Sequence, residues 1–206
     1  MNPASATPPV ITDISQLDLN ESYTYADYVS WKFSEIVELV RGKIVRKMSA
    51  PVSAHQRCSM NFSTALDSFL KKKTCQVFAA PFDVRLVRTT GNGDAQIKTV
   101  VQPDLCVICD PTKIDRRGCL GAPDWIIEIA SPRPVSYDTK TKYDLYAENG
   151  VAEYWVVYPG EQTVSRFVLQ NGNYESVGDY YEPGLIPSRT LPDLPLQWAD
   201  VFDRVE

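Results

Sequence analysis

Histidine is almost missing from this chain: His55 is the only one among 206 residues. Ser-His-Asp and Cys-His mechanisms that need a histidine elsewhere are therefore removed. Long apolar runs are missing too. No window supplies the ~18 to 20 apolar residues that a membrane-spanning helix needs. A surplus of basic charge is absent, with 21 Lys and Arg against 26 Asp and Glu, a formal net charge of −5. This argues against a strong non-specific hold on nucleic acid, while leaving room for a local basic patch. The opening, MNPASATPPV, has neither the basic n-region nor the apolar h-region of a secretory signal, so the expected location is cytoplasmic. Five cysteines, an odd number, fit reduced intracellular thiols.

What is present is ordinary globular material. Hydrophobic residues make up 44%, charged residues 23% and aromatics 11%, which excludes a disordered, collagenous or coiled-coil chain. We expect a flexible tail over residues 1–22 and one domain over 23–206. Thr24 suits the cap of a short helix running toward Trp31. Ile36–Val40 and Lys43–Met48 around Arg41-Gly42 read as a β-hairpin. Ser53 with Gln56 matches a capping box opening a helix to Lys73, with Met60, Ala65, Leu66, Phe69 and Leu70 as its apolar stripe.

Strands follow over Cys75–Ala80, Phe82–Val87 and Val100–Cys109, the last with Pro103 inside it. Asp124–Ala130 (DWIIEIA) is apolar on both faces, as a buried central strand is. A helix over Val135–Glu148, closed by Asn149-Gly150, leads to the apolar strand Ala152–Val157, a crossover unit. Thr163–Leu169 and Tyr174–Val177 form a hairpin around Asn171-Gly172, and Trp198–Val205 suits a short closing helix. The sum is an α/β domain with a mixed sheet.

Two carboxylates sit where charge is costly. Asp104 opens the run Leu105-Cys106-Val107-Ile108, and Glu128 lies among Trp125, Ile126, Ile127 and Ile129. A carboxylate in a buried strand must be paired or bound to a cation. Each alone is as readily a strand-end residue bridged to Lys or Arg. Together they could converge on one divalent metal, and hard oxygen donors suit Mg²⁺ or Mn²⁺.

These residues carry a resemblance. Gln102-Pro103-Asp104-Leu105, then Ala122 to Pro132 (APDWIIEIASP), then Asp138, Lys142 and Tyr146, then Gly150 to Val157 (GVAEYWVV), resemble the Uma-type restriction endonuclease family within the PD-(D/E)XK nucleases. Glu38-Leu39-Val40-Arg41-Gly42, Met48 and His55 are similar to that family's opening. The resemblance spans about residues 24–170. It implies a restriction-endonuclease-like fold, a mixed β-sheet flanked by helices. It also implies that Glu38, Asp104 and Glu128 hold Mg²⁺ or Mn²⁺, and that the activity is hydrolysis of DNA by in-line attack leaving a 5′-phosphate. Nucleases of this fold often work as homodimers, since cutting two strands calls for two sites. The signature places Lys two residues after the second acid, where this chain has Ala130. Lys142, with Asp138 one turn before it, offers a replacement from the following helix; the bland alternative is an exposed Asp138–Lys142 ion pair.

The remaining candidates concern substrate. Lys113, Arg116 and Arg117 lie in the loop between the two acid-bearing strands and could grip a phosphate backbone, as could Arg133. His55, near a helix start, could touch a phosphate or simply serve as a local hydrogen-bonder. Lys71-Lys72-Lys73 suits a solvated helix end. Cys106-x-x-Cys109 has a strand spacing that sends its thiols to opposite faces, so it reads as structural rather than as a zinc or redox pair. Gly118-x-x-Gly121 lacks the strand-to-helix context of a phosphate loop. The leading expectation is a metal-dependent endonuclease. Its rivals are an inactive nuclease-fold module that binds DNA or a protein, and a small thiol or zinc protein.

Overall fold

The structure is a computed structural model that describes residues 10–46, 52–87, 93–131 and 136–205, without the side chains of 136–139. Its helices are α1 (Tyr25–Tyr28), α2 (Ser53–Leu70), α3 (Ser136–Asn149) and α4 (Trp198–Val201). Its strands are β1 (Val37–Val40), β2 (Lys43–Arg46), β3 (Gln76–Ala79), β4 (Val84–Arg85), β5 (Val100–Val101) and β6 (Leu105–Ile108). They continue as β7 (Ile114–Asp115), β8 (Gly118–Leu120), β9 (Trp125–Ile129), β10 (Glu153–Tyr158), β11 (Thr163–Gln170) and β12 (Asn173–Tyr180).

These strands form two six-stranded mixed sheets, in the orders β2-β1-β5-β4-β8-β7 and β12-β11-β10-β9-β6-β3. The second sheet is the centre of the molecule. Strand β9 is buried along its whole length, as DWIIEIA anticipates. It pairs in parallel with β10, and α3 makes the crossover. One face of this sheet, with Leu105, Trp125, Ile127 and Trp155, packs on Phe62 and Leu66 of α2 and on Leu194 and Phe202 of the C-terminal segment. The other face, with Cys106, Ile126 and Tyr154, packs on Leu145 and Tyr146 of α3 and on Val84 and Val101 of the first sheet. Hairpin β11–β12 turns at Asn171 (φ 50°) and Gly172 (φ 82°). Two consecutive left-handed residues match the twist of the strands.

Several expectations are corrected. The stretch Val100–Cys109 is two strands, β5 and β6, belonging to different sheets. Pro103 has no N–H for a ladder, so the chain leaves one sheet there and enters the other. Helix α2 begins after Val52 without a side-chain cap, so the Ser53–Gln56 capping box is not formed. Its buried stripe is Cys58, Phe62, Leu66 and Leu70, a strict four-residue spacing, and Met60 is 60% exposed. Ile14, in a 3₁₀ turn capped by Asp13, is buried with Tyr25 and Trp31, so the described part of the N-terminal segment packs on the domain. Two of the five cysteines are not free thiols. Cys75 and Cys109 flank the β3–β6 ladder opposite one another and form a disulfide. Cys58, Cys106 and Cys119 are free and buried. Cys106 and Cys109 do pack against opposite faces of the sheet.

Candidate active site

The break at Gln102-Pro103-Asp104 brings the two sheets together. Strand β1 of the first sheet carries Glu38, whose Oε1 accepts the Gln102 backbone N–H at 2.8 Å. Two residues on, Asp104 stands at the entrance to β6. The β6–β9 register, with Leu105 opposite Ile127, sets Asp104 beside Glu128 one step further along. Asp104 is held by the Ile129 N–H, which donates to its Oδ2 at 2.8 Å. Its carbonyl accepts the Ala80 N–H at 3.0 Å.

Helix α3 completes the arrangement. Lys142 and Tyr146 are four residues apart and so share a helix face. The Lys142 ammonium donates to Glu128 Oε1 at 3.0 Å and lies 3.6 Å from Glu38 Oε1. The Tyr146 hydroxyl donates to the same Glu128 oxygen at 2.6 Å. All four charged groups are buried, at 3% exposure for Glu38, 5% for Asp104, 8% for Glu128 and 6% for Lys142. Burial, and the neighbouring Glu128 and Glu38, push the Tyr146 phenol well above its ordinary range, so it remains a donor. Lys142 is thus a buried partner of two carboxylates from two sheets, not half of an exposed ion pair. Ala130, at the position of the signature lysine, is packed against the apolar cluster on the α3 side of the sheet.

Glu38, Glu128 and Lys142 are brought together, with Asp104 on the neighbouring strand. Among the described residues, however, no three His, Cys, Asp or Glu side chains are grouped as a metal cage. Glu38 and Glu128 meet across an ammonium. Two neighbouring carboxylates still fit Mg²⁺, which is commonly held by one or two carboxylates and completes its shell with water and substrate phosphate. Asp104 and Glu128 are such a pair of hard donors. His55 Nε2 lies 3.3 Å from Asp104 Oδ2, at the edge of the same site.

The expected phosphate-binding loop is largely occupied. Lys113 donates to the Ala122 carbonyl at 2.8 Å, and Arg117 pairs with Asp94. Arg116 is exposed. Arg133 lies outside the described residues, as does Met48, and the side chain of Asp138 is likewise not described.

Sequence reasoning gave no role to Tyr146, Asp83 or Tyr28. The Asp83 carboxylate accepts from the Tyr28 hydroxyl at 3.2 Å and from Gln102 Nε2 at 2.8 Å. Gly118 positions this acid's backbone. At φ 123° it lets β8 approach so closely that a Cβ there would lie 2.1 Å from the Asp83 carbonyl oxygen. The sequence signals for Tyr146 are its place in the family-like string and its four-residue spacing from Lys142.

Known proteins share this architecture. A solved structure from Anabaena variabilis ATCC 29413, described as "a putative nuclease belonging to DUF820", superimposes with a TM-score of 0.66. The match covers 89% of this chain and 99% of that one at 24% identity, a likeness of fold. The mixed sheets and flanking helices are accordingly the restriction-endonuclease-like fold. A curated relative from Synechocystis sp., "Uncharacterized protein slr1290", is 26% identical over 125 residues, 60% of this chain. The match spans 61% of that relative's length. The Uma2 family model, described as "Putative restriction endonuclease", matches residues 25–199. That stretch contains both sheets, the switch between them at Pro103 and every acid of the buried cluster, and the chain belongs to the Uma2 family.

Proposed function

We propose that this protein is a metal-dependent endonuclease that hydrolyses DNA phosphodiester bonds at the Asp104–Glu128–Lys142 cluster. The observation that carries the reading is the Lys142 ammonium, 3.0 Å from Glu128 and buried. It supplies, from α3, the amine that Ala130 lacks. Asp104 and Glu128 would hold Mg²⁺ or Mn²⁺, with Glu38 as the third acidic group. Such an ion acidifies a bound water and offsets charge growing on the phosphate.

The chain's own groups do the rest. The Ile129 N–H fixes the Asp104 carboxylate, and the Tyr146 hydroxyl fixes Glu128. Lys142 adds positive charge where the phosphate develops negative charge, and Glu38 keeps that ammonium in place. Arg116 and the neighbouring Lys113 and Arg117 would meet the DNA backbone, with Arg133 and His55 as further phosphate contacts. We place the protein in the cytoplasm, where its substrate is, and read it as a homodimer because two strands need two cuts.

The test is plasmid nicking in Mn²⁺ by wild type and Glu128→Ala. Metal-dependent nicking that the substitution abolishes supports the enzyme. Equal traces from both proteins would mean contamination and would favour a nuclease-fold module that binds DNA or a protein without cutting.

A further inference from the structure

Beside the acidic cluster lies a cleft of about 330 Å³ that the chemistry above does not use. Tyr28, Trp31, Phe33, Glu35, Asp83 and Gln102 line it, together with Ile36, which is 45% exposed. Trp31 is nearly buried, whereas Phe33 and Tyr28 keep part of their surface open. The rings pack together, with centroids 5.2 Å apart for Trp31–Phe33 and 6.0 Å for Tyr28–Trp31. Tyr28 and Gln102 are fixed in turn by Asp83.

We propose that this cleft takes one unpaired nucleobase of the DNA being cut, stacked on the aromatic wall with its edge toward Asp83. The proposal rests on the nuclease reading and names the substrate feature it selects.

Three observations carry it. The first is position. Gln102 lines the cleft with its side chain while its backbone N–H holds Glu38, and Asp104 follows two residues later. A nucleotide whose phosphate lies at the acids would therefore have a neighbouring base at the cleft. The second is chemistry. Aromatic rings offer a stacking platform to any base, and a carboxylate accepts from a base's N–H groups. Inside a duplex both faces of a base are covered, so an aromatic-lined concavity is usable only by a base out of the stack. The third is charge. The chain is acidic overall, and Arg41, Arg85 and Arg117 are engaged with Glu148, Asp115 and Asp94. On a chain of net negative charge, base stacking supplies affinity that salt does not screen.

The test is fluorescence anisotropy in Ca²⁺ with three labelled 20-mers: a paired duplex, the same duplex with one bulged adenosine, and the bulge made abasic. Wild type should bind the bulged adenosine about ten-fold more tightly than the abasic bulge. Ile36→Glu and Phe33→Ala should each bring that ratio toward one, with circular dichroism confirming the fold. A ratio near one in wild type overturns the proposal, as does a ratio untouched in both folded variants. Glu128-dependent plasmid nicking with a ratio near one removes the base cleft and leaves the nuclease. A ten-fold ratio without nicking keeps the cleft and removes the nuclease. No binding to any of the three DNAs together with no nicking removes both.

Discussion

Glu128 and Glu153 are buried carboxylates on adjacent parallel strands, yet their surroundings differ in kind. Glu153 is fully buried and accepts from five donors: Trp155 Nε1, Arg166 Nη2, Ser188 Oγ and the backbone N–H groups of Arg189 and Thr190. It is a clasp that ties the C-terminal segment to the sheet. Glu128 lies near the strand end, and one of its oxygens receives both an ammonium and a phenol from α3. Its neighbours include a second and a third carboxylate, Glu38 and Asp104. Burial of charge does not distinguish a site from a clasp, but the kind of partner does. Five donors close around the single acid Glu153, whereas Glu128 and Glu38 converge on one amine beside Asp104, the arrangement that the proposed chemistry uses.

The comparison can be broken most sharply by treating the two acids alike. Glu128→Gln should cut metal-dependent nicking by about 10³-fold, with a smaller loss of stability because Lys142 keeps Glu38 as a partner. Glu153→Gln should do the reverse. Neutralising one partner of a buried charged network costs about 3 kcal/mol, roughly 10 °C in melting temperature at this chain length. Nicking at room temperature should persist. Calorimetry beside a plasmid assay reads both, and matching profiles for the two variants would erase the distinction. Next in size, Lys142→Met should reduce nicking by about 10²-fold with metal binding retained, measured by titration calorimetry with Mn²⁺.

Acid sharpens the contrast more gently. Burial pushes the Glu153 carboxyl up, but the Thr190 and Arg189 N–H groups and Trp155 outweigh it and hold the pKa below the ordinary carboxylate range. A depressed pKa in the fold means stability that is fully present above about pH 4.5 and lost as pH falls through the folded-state value. Melting temperatures measured from pH 7 to pH 3 should therefore converge for wild type and Glu153→Gln only below about pH 4.5. The smallest effect concerns the sulfurs. Unreduced, denatured protein should titrate three thiols with Ellman's reagent, Cys58, Cys106 and Cys119. Five would show that the Cys75–Cys109 bond is not formed.

Much of this was legible in the sequence, for identifiable reasons. Continuous apolar runs gave β9 and β10, and Asn-Gly gave the β11–β12 turn. Charge inside apolar strands drew attention to Asp104 and Glu128, and the missing signature lysine drew it to Lys142. What stayed hidden depends on long-range pairing. Nothing local shows that Val100–Cys109 serves two sheets, although Pro103 marks the break once the sheets are known. In the α2 stripe Leu66 and Leu70 are buried and Ala65 and Phe69 pack against the core, while Met60 is exposed and Cys58 and Phe62 fill the first turns of the buried face. Glu153 has no role in the sequence reading, since three of its five donors come from residues 188–190, more than thirty positions away.

Under the proposed function, Asp104 and Glu128 share a divalent cation beside the Lys142 ammonium. Anomalous diffraction from crystals soaked in Mn²⁺ addresses it without reference to turnover. A strong peak bonded to both carboxylates at about 2.2 Å is expected. A density map with no peak between these two acids, or with manganese held only elsewhere, would contradict it.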